Sequence, residues 1–135
     1  MIRFSKKEDY AIILINKLVQ NYKKRLVPLS EVAREHKLPL LFLRNIASDL
    51  RKSGLIVAVE GKSGGYKLSK HPSNIEVGEV ITALTKNPLF SCCQNTKDGK
   101  CAASTCPHGF SLRRLSNTIL EKISGVTLDK FSTRE

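Results

Sequence analysis

Tryptophan is absent, and only three tyrosines and five phenylalanines occur in 135 residues. A chain so poor in aromatics is not built around a large aromatic ligand pocket or a platform on which successive bases stack. Acidic side chains are scarce too: 12 Asp and Glu stand against 23 Lys and Arg. Nothing approaches the roughly 20 consecutive apolar residues of a membrane span. The opening MIRFSKKEDY carries charges where a secretory signal needs an apolar run. A cytoplasmic protein with no membrane partner is therefore expected. No nucleophile–base pair or paired-carboxylate arrangement stands out, which argues against an enzyme. Cysteine is missing outside one short stretch, and all four copies fall between Cys92 and Cys106.

What is present begins with charge. The net charge is +11, with 15 Lys/Arg against 8 Asp/Glu in residues 1–85 and 8 against 4 in residues 86–135. The excess is spread along the chain, which favours a polyanionic partner, nucleic acid first. At this length one domain, or one domain with a helical appendage, is expected, and 41% apolar residues can supply a core without disulfides.

Tyr10, Ile13, Leu14, Leu18 and Tyr22 recur at helical steps and predict a helix over 6–23. Ser30 is a candidate N-cap for a short helix through Val32, Ala33 and His36, with Glu31 favouring its dipole. Lys37-Leu38 reads as a turn. Pro39 suits the first position of a second helix running to Ser53, where Gly54 ends it. Two helices joined in this way make a helix-turn-helix. The β-branched run Leu55–Val59, the basic glycine turn at 61–65 and Tyr66-Lys67-Leu68 add a hairpin, the wing. A short helix follows through Val80, Ile81, Ala83 and Leu84. Residues 86–109 lack periodicity and read as a loop, long enough to need a functional reason. A last amphipathic helix over about 110–124 carries Leu112, Leu115, Ile119 and Ile123 on one stripe. That stripe either packs on the domain's own core or coils against helix 6–23 of a second subunit. The second arrangement would space two recognition helices by one DNA turn, ~34–36 Å.

The fold class is thus mainly α with a small β wing: a winged helix-turn-helix followed by a C-terminal dimerisation helix. Residues 1–85 form the DNA-binding unit, 86–109 the cysteine-rich loop, and 110–135 the dimerisation helix and tail. A recognition helix presents its N-terminal side chains to base edges. Leu41, Phe42, Arg44 and Asn45 occupy that part, while Leu43 and Ile46 point inward. Arg44 suits guanine O6 and N7, Asn45 suits adenine N6 and N7, and Leu41 suits a thymine methyl. Arg51, Lys52, Lys62 and Ser63 suit phosphates. Asp49 and Glu60 are acids near this surface that could repel phosphate; Glu60 could instead accept from cytosine N4.

The cysteine spacing is Cys93, seven residues, Cys101, four residues, Cys106, with Cys92 adjacent to the first. Thiolates bind soft or borderline metals, and structural zinc sites use closer pairs. The wider spacing favours an iron–sulfur cluster, with zinc or a bare thiol switch as alternatives. Lys97 and Lys100 would offset a thiolate-ligated cluster's charge. Cys92 and Cys93 cannot easily serve one metal together, so one of them is a spare or a redox partner.

Val27-Pro28-Leu29, Arg51-Lys52-Ser53-Gly54-Leu55, Gly64-Gly65-Tyr66, Ile75-Glu76-Val77-Gly78-Glu79-Val80-Ile81, the cysteine run, Leu115-Ser116 and Val126-Thr127-Leu128 together carry a resemblance over almost the whole chain. They resemble the Rrf2 family of bacterial transcription regulators, and within it the iron–sulfur cluster regulators and nitric-oxide-sensing repressors. The resemblance implies a homodimer on an operator duplex, and a cluster held by Cys93, Cys101 and Cys106. A 2Fe–2S cluster is expected in preference to a 4Fe–4S one. The fourth ligand implied is either His108 or an acid near the partner's N-terminus, Asp9 or Glu8. The cysteine spacing departs from the five-residue intervals of familiar members, and His108 falls one place early, which favours Asp9. Glu60 also stands where the iron–sulfur assembly regulators have a basic wing residue. Two rival functions remain at this stage: a thiol-based redox or metal sensor on the same fold, and an interaction module for sulfur or cluster assembly.

Overall fold

Apolar side chains at three- and four-residue steps decide which face of each helix is buried. The computed structural model describes residues 5–85 and 107–133. Its elements are α1 (Lys6–Gln20), α2 (Leu29–His36), α3 (Leu40–Lys52), β1 (Ile56–Val59), β2 (Gly65–Leu68), a 3-10 turn (Pro72–Asn74), α4 (Val77–Leu84), α5 (Pro107–Ser124) and α6 (Leu128–Ser132). Ala11, Leu14, Ile15 and Leu18 of α1 meet Leu43, Ile46, Ala47 and Leu50 of α3 in one core. Val32 of α2, Ile56 of β1 and Val80 and Ile81 of α4 complete it.

Local chemistry sets the helix ends. Ser5 and Glu8 form a reciprocal capping box at the start of α1. The helix ends at Gln20, three residues sooner than periodicity suggests. Asn21 turns its amide back onto the Lys17 carbonyl at 2.8 Å, and Lys23 takes a left-handed φ of 59°. Ser30 is not an N-cap: Pro28 holds that place and α2 begins at Leu29. Likewise Pro39 caps α3 from outside, with Leu40 as its first residue. Proline lacks an N–H, so either position is open to it at little cost.

At the end of α3 the Leu55 N–H reaches the Leu50 carbonyl at 3.1 Å and the Gly54 N–H reaches Arg51 at 3.0 Å. This Schellman closure needs the left-handed backbone of Gly54, φ 74°. Leu50 and Leu55 are both buried beneath it. The chain enters β1 at once, so the wing is set rigidly against the recognition helix.

β1 and β2 pair antiparallel, with Val57 opposite Lys67 and Val59 opposite Gly65. The far edge of β2 takes a third partner. Val27 exchanges two hydrogen bonds with Tyr66, at 3.0 and 2.8 Å, tying the segment before α2 to the wing.

The C-terminal part differs from expectation in two ways. α5 begins at Pro107, so the last three residues of the expected loop are helical; proline at a first helical position sacrifices no bond. After α5 the chain returns to the first unit. Glu76 bridges Thr127, Val77 N–H reaches the Val126 carbonyl at 2.8 Å, and Leu128 N–H reaches Ile75 at 2.9 Å. Leu128 is buried in the same core, and the Ser132 hydroxyl meets the Asn16 side-chain oxygen at 2.7 Å.

Candidate nucleic-acid interface

α3 is two-faced. Leu43, Ile46, Ala47 and Leu50 are buried, and Leu41, Arg44, Asn45, Ser48, Arg51 and Lys52 form the exposed side. Leu41 is 71% exposed, an unusual state for a leucine on an otherwise well-buried helix. Ser48 was missed from sequence. Its place between Leu41, Arg44 and Asn45 follows from helical spacing and would have revealed it.

Phe42 occupies the flank between these faces. Its ring meets Tyr10 of α1 edge-on, centroids 5.6 Å apart. It is half-buried, so its main structural contact is with α1. Two turns along the same flank, Asp49 receives the Lys7 ammonium at 2.7 Å. The charge expected to repel phosphate therefore has a cationic partner. Glu60 is exposed at the start of the wing turn, followed closely by Lys62 and Ser63, which are also exposed.

Ion pairs tie down part of the positive charge. Lys17 of α1 contacts Glu31 at 3.3 Å and Glu35 at 2.7 Å, joining α1 to α2. Arg25 grips Glu31 with both terminal nitrogens, at 2.8 and 2.6 Å. The Arg25 guanidinium, helped by Lys17, holds the Glu31 carboxyl down at about 2. Glu35 raises Lys17, and Glu31 raises Arg25. By contrast Arg44, Arg51, Lys52 and Lys62 make no ion pair among the described residues. On α3 and the wing turn these unpaired cations are all exposed, along one continuous stretch of chain. That surface can neutralise phosphates while Arg44, Asn45 and Ser48 reach base edges.

Cys92, Cys93, Cys101 and Cys106 lie outside the described residues. Among the described residues no three His, Cys, Asp or Glu side chains come together to hold a metal. Asp9 is exposed and Glu8 half-buried on the first turn of α1, Glu8 being engaged with Ser5. His108 falls in the first turn of α5. His36 is exposed, and His71 caps the 3-10 turn by accepting from the Ser73 N–H at 3.2 Å. Both are surface residues. The chain's four thiols all fall in the cysteine stretch, and thiolates suit iron–sulfur or another thiophilic centre.

α5 packs along α4, and the sequence stripe is split between two surroundings. Ile123 packs against the core and Ser116 is 1% exposed, whereas Leu115 is 47% and Phe110 72% exposed. Arg114 and Thr118 flank these two apolar side chains. Among the described residues no helix is long and apolar enough to cross a membrane.

A family model described as "Rrf2: Iron-dependent Transcriptional regulator" matches residues 4–134. The chain is 32% identical over 127 residues to the HTH-type transcriptional regulator IscR of Escherichia coli (strain K12 / DH10B), covering 94% of this chain and 78% of IscR. The fold matches IscR of T. potens with a TM-score of 0.73 and 25% identity, over 96% of this chain and 85% of that one. It also matches CymR (YrzC), the global cysteine regulator of B. subtilis, with a TM-score of 0.74 and 24% identity, over 98% and 97%.

Proposed function

The chain belongs to the Rrf2 family of transcriptional regulators, and from that premise we propose that it is a sequence-specific DNA-binding repressor whose operator affinity answers to the state of its four cysteines. The observation that carries the DNA-reading half is the division of charge. Lys17 and Arg25 are tied to Glu31 and Glu35, while Arg44, Arg51, Lys52 and Lys62 stand exposed along α3 and the wing turn with no ion pair among the described residues. Leu41, Arg44, Asn45 and Ser48 read the major groove. Arg51, Lys52, Lys62 and Ser63 hold the backbone, and Phe42 braces the helix that carries the readers.

The sensing half rests on the cysteine cluster and the iron-dependent description of the matching family. Cys93, Cys101 and Cys106 would hold an iron–sulfur cluster, of the 2Fe–2S type, with Asp9 of a second subunit or His108 completing the set and Cys92 as the spare thiol. When bound, such a cluster makes the protein responsive to oxidants, nitric oxide and cluster supply. The exposed Leu115 and Phe110 of α5 support a homodimer, which would set two recognition helices against paired half-sites.

A second reading is a thiol switch without metal. Its support is the fold shared with a protein titled a global cysteine regulator. Anaerobic purification of the full chain with iron and sulfide assays decides between the two. Stoichiometric iron and sulfide, lost with the visible spectrum in Cys101→Ser, is expected. A colourless, iron-free protein whose operator binding still follows thiol oxidation would establish the switch instead.

A further inference from the structure

One cation joins three helices. The Lys7 ammonium of α1 donates to Asp49 Oδ2 of α3 at 2.7 Å and to the Leu84 carbonyl, the last residue of α4, at 3.2 Å. Helix C-terminal carbonyls carry partial negative charge, so this oxygen and the Asp49 carboxylate together suit a lysine with three donors. The Lys7 and Asp49 side chains are 31% and 29% exposed, a half-shielded pair. One turn further along α1, Tyr10 makes the second contact, on Phe42 of α3. Lys7 and Tyr10 thus grip two points on one flank of the recognition helix, spaced by two of its turns. Residue 84 stands eight positions before Cys92, the first of the four cysteines.

We propose that Lys7 is a positioning residue through which the end of α4 sets the pose of the recognition helix. A change carried into the last turn of α4 shifts the Leu84 carbonyl against the ammonium. The ammonium then shifts against Asp49, and α3 pivots about the Tyr10–Phe42 contact. The readers Arg44, Asn45 and Ser48 lie on the helix so moved, while Lys7 itself is carried by α1 and meets α3 on its flank. This proposal rests on the sensing reading above, and it assigns the route by which a change at the cysteines reaches the DNA surface.

The test exploits the confinement of every thiol to residues 92–106. p-Hydroxymercuribenzoate modifies thiols and displaces any metal they hold, so its covalent action is confined to that stretch. Affinity for an operator selected from a randomised duplex pool is measured before and after treatment. The proteins are the full chain, Lys7→Met and Asp49→Asn. The wild type should change affinity about 5-fold or more, within the usual range of coupled sites. In Lys7→Met the ratio should fall to within about twofold of one, with a cooperative melt and an unchanged salt slope, as expected of a residue that touches no phosphate. Asp49→Asn, nearly isosteric, should show the same loss of ratio, and it decides the matter alone if Lys7→Met fails to fold. A wild-type ratio in a folded variant would overturn the Lys7 route while leaving the sensing reading intact. A wild type indifferent to the mercurial would overturn both.

Discussion

Gly78 of α4 faces Ser124 of α5 so closely that a Cβ on the glycine would stand 2.8 Å from the serine hydroxyl and 3.3 Å from its Cα. The two helices approach through this point, and the Ser124 hydroxyl is turned onto the Leu120 carbonyl at 2.8 Å. Gly78→Leu should therefore lower stability by about 1–3 kcal/mol through overpacking. Gly78→Ala should cost less, because the serine side chain can rotate, and adding Ser124→Gly should restore part of the loss. Denaturant unfolding of the four proteins checks this; a Gly78→Leu variant as stable as the parent would mean the helices separate freely.

Acid should loosen the joint between α1 and α2. Glu31 has a carboxyl held at about 2 by Arg25 and Lys17, against about 4.3 in an unfolded chain. A depressed carboxylate stabilises the fold above its unfolded value, and that contribution fades as pH falls from about 4.5 toward 2. Removing the guanidinium with Arg25→Met raises the folded carboxyl toward its unfolded value, so the loss of stability between about pH 4.5 and 2 should become shallower throughout that window. In Arg25→Met/Glu31→Gln this pH dependence should be absent. Thermal melts between pH 2 and 6 supply the comparison.

Arg44 and Lys62 should fail differently. Arg44→Ala is expected to relax base choice at one operator position and cost about 1–3 kcal/mol. Lys62→Ala should weaken all duplexes alike and lower the salt slope by about 1. Competition binding against single-base operator variants, repeated across salt concentrations, separates the two. Equal base discrimination in Arg44→Ala would remove it from the readers.

Leu115→Glu places a charge on the exposed side of α5 without touching the core. If that side is a subunit seam, the variant should sediment as a monomer, keep its melt, and lose operator affinity with the lost second half-site. A variant that remains dimeric would move the seam elsewhere.

Much of the DNA-reading unit could be deduced from order alone because its determinants are local. The inward set Leu43, Ile46, Ala47 and Leu50 and the terminating Gly54 follow from helical period and a left-handed turn. The N-cap expected at Ser30 falls two residues earlier, on Pro28, and Pro39 stands one place outside its helix, since a proline can sit just outside a helix or just inside it. What escaped were pairings across distance. Lys7 meets Asp49 42 residues away and Leu84 77 residues away, and no pattern in a window of a dozen residues marks either. The return of Val126 and Leu128 to the strand-like stretch at Ile75 and Val77 escaped for the same reason. On α5 the apolar period was correct, yet it could not tell that Ser116 would turn inward and Leu115 outward. The arrangement of the four cysteines stays a matter of spacing and family likeness, because they lie outside the described residues.

Leu128 is 1% exposed among side chains that otherwise come from the first 84 positions, and its N–H closes a bond to Ile75. A chain cut before residue 126 would leave that place in the core empty, so the stability of the first unit is tied to the return of the C-terminal segment.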